Sequence, residues 1–124
     1  MPNTAIRPEI DQEGMKLVMK KFPGTKWADQ AAFHLLDNKL CGDWQAQSKC
    51  PEKEADVYVK FADERPKAPN AAEALYNAAY RYAALVEIYT TEEKLDKSKE
   101  SGPRAVALTQ RIVSRRKVTC EGVG

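Results

Sequence analysis

The stretch Phe22-Pro-Gly-Thr-Lys-Trp-Ala-Asp-Gln-Ala-Ala-Phe33 returns as Arg65-Pro-Lys-Ala-Pro-Asn-Ala-Ala-Glu-Ala-Leu-Tyr76, 43 positions further along the chain. Pro23 and Pro66, Ala28 and Ala71, Gln30 and Glu73, Ala31 and Ala74, and Phe33 and Tyr76 coincide. Self-similarity at a period of this length marks an array of stacked supersecondary units, and such arrays usually present a binding surface.

Around the repeat, apolar residues recur at helical spacing, and no segment alternates as a half-buried strand would. From Arg7-Pro8, the positions Ile10, Gly14, Leu17/Val18 and Phe22 predict a first helix that stops at Phe22-Pro23-Gly24. A second runs from about Trp27 through Ala28, Ala31, Ala32, Leu35, Leu36 and Leu40 and ends near Gly42. Pro51 suits the first turn of a third, with Ala55, Val57/Tyr58 and Phe61/Ala62 inward before Pro66 closes it. The strongest, about Asn70 to Tyr89, is rich in alanine and leucine with Asn70 as N-cap. Thr90 to Gly102 reads as a polar stretch, in which Thr90 and Glu93 form a capping box for a short helical turn. After Pro103, Val106, Leu108/Thr109 and Ile112/Val113 give a fifth helix.

A chain of 124 residues, 43% hydrophobic and 31% charged, is long enough for one ordinary domain with its own core. The net charge of +2 is too close to neutral to point at nucleic acid or an anionic membrane. No apolar run approaches the ~20 residues needed to cross a bilayer, and Met1 to Asp11 lacks the apolar core of a signal peptide. The expectation is a cytosolic protein or a piece of a longer exported one.

The chain thus alternates a helix ending at proline with a helix opening on Ala-x-Gln/Glu-Ala. Ala72-Glu-Ala-Leu-Tyr-Asn-Ala-Ala-Tyr-Arg-Tyr82 resembles the first helix of a tetratricopeptide repeat, whose pattern is Ala-Glu-Ala-Trp-Tyr-Asn-Leu-Gly-x-x-Tyr. The proline lead-in is similar to the subtype found in bacterial envelope proteins, such as the lipoprotein of the outer-membrane β-barrel assembly machinery. The resemblance covers about residues 8 to 117 and is specific at 66 to 82. Where the family prefers Gly or Ala for close helix contact, one unit has Ala79 and the other Leu36; the following aromatic is Tyr82 in one and Lys39 in the other. The first unit is therefore a divergent repeat. Both hairpin loops, Cys41 to Cys50 and Thr90 to Gly102, are also longer than the family uses.

The resemblance implies an all-α, right-handed stack of about two and a half helical hairpins, about five helices, forming a single domain over 1–124 with a flexible tail at 118–124. It also implies a concave groove lined by the first helix of each hairpin. On that match the groove carries Gln30, Phe33, His34 and Asp37 beside Glu73, Tyr76, Asn77 and Tyr80. Each set is spaced i, i+3, i+4, i+7, so each shares one helical face. Asn77 stands where the family places an asparagine that hydrogen-bonds a bound peptide, and His34 takes the equivalent place. Phe33 and Tyr76 have packing against a neighbouring helix as an equal alternative. For His34 a half-exposed position without a ligand is the stronger reading.

Cys41 and Cys50 fall at the end of one predicted helix and the start of the next, so an antiparallel hairpin would bring them together. A disulfide closing this loop would add about 2.5 to 3 kcal/mol; two unpaired thiols remain the alternative, and Cys120 is left over in the tail. A Cys3His zinc site with His34 is disfavoured, since His34 and Cys41 lie about 10.5 Å apart along one helix. No nucleophile–base pair, phosphate-cradling loop or metalloprotease motif is present, so no catalytic, cofactor or metal residue is assigned and an enzyme is not expected. The carboxylates Glu52, Glu54, Asp56, Asp63 and Glu64 interleave with Lys53 and Lys60, as on a solvated helix face.

Trp44, in a surface loop, reads as a lid over the hairpin in preference to a partner contact. Arg111, Arg115, Arg116 and Lys117 form a basic helix end that the dipole favours and solvent otherwise covers. The sequence therefore points to a protein- or peptide-binding scaffold of the periplasm or envelope, with a cytoplasmic location as the alternative. A structural or self-associating segment with no groove ligand is the second reading, and an accessory nucleic-acid binder using the basic last helix is the third.

Overall fold

Alanine at the contact positions lets helices approach closely, and the repeat supplies it at i, i+3, i+4 spacing. The computed structural model describes the backbone of residues 7–123 and the side chains of residues 12–115, and every regular element in it is helical. The chain runs as α1 (Arg7–Lys21), α2 (Lys26–Leu35) continued by a 3-10 turn (Leu36–Lys39), α3 (Lys49–Glu64), α4 (Ala71–Thr91) and α5 (Leu95–Val123). Successive helices are antiparallel neighbours. Phe33 meets Phe61 while Asp29 meets Arg65, Arg81 meets Glu54 while Tyr89 meets Glu52, and Ser98 meets Val86 while Arg104 meets Tyr82. The fold is all-α, and no helix among the described residues is long and apolar enough to cross a membrane.

The core centres on α4, whose Ala71, Ala74, Leu75, Ala78, Ala79, Tyr82, Leu85 and Tyr89 are buried between α3 and α5. Burial follows the sequence repeat. Ala28, Ala31, Ala32 and Leu36 of α2 are buried, and so are Ala71, Ala74, Leu75 and Ala79, each 43 positions on. The same offset carries Ala55 and Tyr58 of α3, both buried, onto the buried Ser98 and Ser101 of α5.

Local chemistry sets the ends. Thr25 caps α2 by accepting the Ala28 N–H (3.2 Å) and donating to the Phe22 carbonyl (2.6 Å), while Gly24 takes the positive φ of the turn. Asn70 stands at the N-cap of α4 but makes no side-chain cap hydrogen bond. The second helix is shorter than its apolar stripe suggests. It tightens after Leu35 and leaves helical geometry at Leu40, so that the Cys41 N–H points at a carboxylate of α3.

The largest correction concerns Thr90 to Gly102, which is not a loop. Thr90 and Thr91 end α4, three residues turn, and α5 begins at Leu95 with Pro103 inside it. The Thr90–Glu93 capping box does not form. Glu93 takes a left-handed φ of 63°, Lys94 N donates to Tyr89 O (2.8 Å) and Glu93 N to Thr90 O (3.0 Å), a Schellman C-cap built without glycine. The start of α5 is polar because its inward positions are hydroxyls. Ser98 Oγ donates to Val86 O (2.8 Å) and lies 3.0 Å from Thr90 Oγ1, and Ser101 Oγ donates to Lys97 O (2.8 Å). With Ala105, Leu108 and Ile112 they form a helical seam against α4 that outweighs the ~3 kcal/mol cost of an interior proline. Residues 118–123, expected as a tail, continue α5, and their side chains lie outside the described residues, as does that of Cys120.

Candidate binding face

The element that fixes this face is a buried charge. Glu54, grouped by its sequence neighbours with a solvated helix face, is only 1% exposed. Its carboxylate accepts three hydrogen bonds: from Cys41 N (2.7 Å), Trp44 Nε1 (3.0 Å) and Arg81 Nε (2.9 Å). Arg81 is the sole basic residue of α4. A lone cation in an alanine- and tyrosine-rich helix is the one sequence signal that could have found this pair. Its guanidinium lies between the rings of Tyr58 (4.8 Å) and Trp44 (5.6 Å), and Nη1 donates to the Asn77 carbonyl (3.0 Å).

Cys41 and Cys50 are joined by a disulfide with Cα atoms 6.0 Å apart, which closes the loop carrying Trp44. Within it Gln45 and Ala46 both have left-handed φ (55° and 56°), the Asp43 carboxylate accepts the Gln45 N–H (2.9 Å), and Gln47 N donates to Trp44 O (3.0 Å). Strained non-glycine turns persist only where their surroundings hold them, and the hold here is Trp44 on Glu54 and Arg81. Trp44 is thus half-buried as a lid. Its ring centroid also stands 6.2 Å from Tyr80.

Of the α4 residues assigned to a groove, Tyr76 and Tyr80 are 62% and 57% exposed, and Glu73 is exposed. Asn77 is half-buried: its Nδ2 donates to the Glu73 carbonyl (2.9 Å) and its Oδ1 lies 3.5 Å from Arg81 Nη1, so its amide steadies Arg81. On α2, Gln30, His34 and Asp37 are exposed, whereas Phe33 turns inward against Phe61 (5.3 Å) and Tyr58 (6.2 Å). The two sets meet at Tyr58. Burial pushes its phenol above the ordinary 10.0; Arg81 opposes this, while the charges of Asp37, Glu54 and Glu73 add to it. No hydrogen bond, ion pair or ring contact joins Gln30 or His34 to the α4 set among the described residues.

The resulting surface is Trp44 and Tyr80 above the buried Tyr58, with Arg81 between Tyr58 and Trp44 and with Tyr76 one turn back along α4. Glu54 offsets the charge of Arg81, while Asp37 and Glu73 are both exposed. The disulfide removes Cys41 and Cys50 as thiolate ligands, and no three His, Cys, Asp or Glu residues among those described are placed to hold a metal ion. The chain matches no protein-family model, no curated protein and no solved structure.

Proposed function

We propose that this chain is a protein- or peptide-binding scaffold built as a right-handed stack of tetratricopeptide-like hairpins, with α2–α3 and α4–α5 as successive units. The recurrence of buried positions 43 residues apart throughout α2 and α4, and at Ala55/Ser98 and Tyr58/Ser101 of α3 and α5, supports this reading, and the Leu40–Ser48 loop accounts for a period longer than the family's usual ~34. The single observation that carries the binding role is the pair of tyrosines, Tyr76 and Tyr80, left more than half exposed on a helix otherwise packed on both sides. Rigid aromatic side chains on a fixed helix are the usual anchors of an interface. The bound segment would be an extended or helical peptide presenting an apolar side chain to Tyr76 and Tyr80 and a basic one to Asp37 and Glu73. The disulfide supports a periplasmic or envelope location.

The test is a Tyr76→Ala/Tyr80→Ala variant used as bait beside the unaltered chain, with partners identified by cross-linking. The variant should lose partners that the unaltered chain captures while keeping its helical CD and melting midpoint. Unchanged capture, or binding and stability lost in step, overturns the proposal. A self-associating segment is the second reading, because Val106 and Val113 are more than half exposed one heptad apart on α5. Light scattering that shows mass rising with concentration would favour it.

A further inference from the structure

The antiparallel course of the helices brings the α1–α2 turn, the α3–α4 turn and the later part of α5 to one end of the molecule. Met19, Pro23 and Ala28 line one cleft of about 460 Å³ with Arg65, Pro66 and Ala68, and the Arg115 guanidinium donates to the Pro66 carbonyl. Three carboxylates at this end are engaged by arginine. Asp29 and Glu64 lie 3.4 and 3.8 Å from Arg65, and Asp63 lies 2.9 Å from Arg111. Lys20, Lys21, Lys26 and Lys67 are exposed and take part in no ion pair among the described residues. From Met15 to Ala28 the chain holds four lysines, Lys16 among them, and no acid.

The apolar side chains of the same turn are as unusual. Phe22 and Trp27 flank Pro23-Gly24-Thr25, and each is more than half exposed, as is Leu17 one turn back on α1. Leu17 stands on the face of α1 opposite Val18 and Met19, beside Lys20 and Lys21. The Lys26 ammonium lies 5.0 Å from the Trp27 ring, so cation and aromatic point outward together. Large apolar side chains at the apex of a turn, ringed by unpaired lysines, match the chemistry of a lipid interface. Nucleic-acid stacking would ask instead for a groove that tracks a backbone.

We propose that this end of the molecule docks on an anionic bilayer surface, with Phe22 and Trp27 entering the headgroup region and Lys20, Lys21, Lys26 and Lys67 facing lipid phosphates. The contact is peripheral and independent of the aromatic face on α4.

The experiment is co-sedimentation of the full chain with vesicles of phosphatidylcholine alone and of phosphatidylcholine mixed with phosphatidylglycerol. Binding is expected to the mixed vesicles and to weaken as salt is raised. Lys20→Gln/Lys21→Gln/Lys26→Gln should weaken it by about fivefold for each lysine, and Phe22→Ala/Trp27→Ala by about thirtyfold, because each ring has roughly half its area left to bury. All five positions are exposed, so helical CD should be unchanged in both variants. Absence of binding to the mixed vesicles overturns the proposal, as does equal binding to phosphatidylcholine alone. So does salt-sensitive binding that the aromatic variant retains in full, which would mark a general polyanion site such as one for nucleic acid.

Discussion

Glu54→Ala removes the acceptor shared by Cys41 N, Trp44 Nε1 and Arg81 Nε. The Arg81 side chain is 12% exposed, so water cannot replace the lost carboxylate around it. Breaking a buried ion pair from one side costs about 3–5 kcal/mol, because the remaining charge stays desolvated and unpaired. The Cys41 and Trp44 donors are half-buried and recover water, so they add little. The expected cost is about 4 kcal/mol, which at a urea slope of about 1.5 kcal/mol/M lowers the midpoint by about 2.5 M. Removing both charges, as Glu54→Met/Arg81→Met, should cost about 1–3 kcal/mol less than the two single changes added together. Arg81→Lys keeps the charge without the planar fork between Tyr58 and Trp44 and should fall between the unaltered chain and Glu54→Ala. Urea unfolding of the oxidised chain followed by CD measures all of these. A Glu54→Ala shift below about 0.5 M, or single-variant costs that simply add, would refute the buried clamp.

Acid should act through Glu92. Hydrogen bonds from Ser48 Oγ (2.7 Å) and Ser48 N (2.8 Å) hold its carboxyl below the ordinary 4.5. A depressed carboxylate stabilises the fold above its unfolded pKa and loses that contribution as pH falls through the folded value. The melting midpoint should therefore drop as pH falls below 4.5, and Glu92→Gln should flatten that limb; an unaltered acid limb in the variant refutes the assignment. At the next position, Glu93 holds a left-handed φ of 63° in the C-cap of α4. Glu93→Gly relieves that strain at some cost in unfolded-chain entropy and should raise stability by about 0.5–1 kcal/mol in urea unfolding, whereas a loss would contradict the C-cap geometry.

How much of this was legible in the sequence follows from the distance over which each feature is decided. Helix spacing and the prolines act within a few residues, and α1, α3 and α4 lie within two or three positions of their expected spans. The start of α5 escaped because Ser98, Ser101 and Pro103 look like loop chemistry until α4 supplies Val86 and Thr90 as partners for the serines. Glu54 escaped for the same reason at longer range: its three donors come from a loop and from a helix 27 residues away. The repeat itself explains why its two copies differ in the exposure of Phe33 and Tyr76. Phe33 turns inward because α3 offers it Tyr58 and Phe61, but 43 positions on, α5 has Ser101 and Arg104 at the corresponding places. Tyr76, the counterpart of Phe33, therefore has no aromatic pair to pack against and stays exposed. The ring that packs inward on α2 is left exposed on α4. The difference between Tyr58/Phe61 on α3 and Ser101/Arg104 on α5, more than that between Phe33 and Tyr76 themselves, decides which of the two rings is packed.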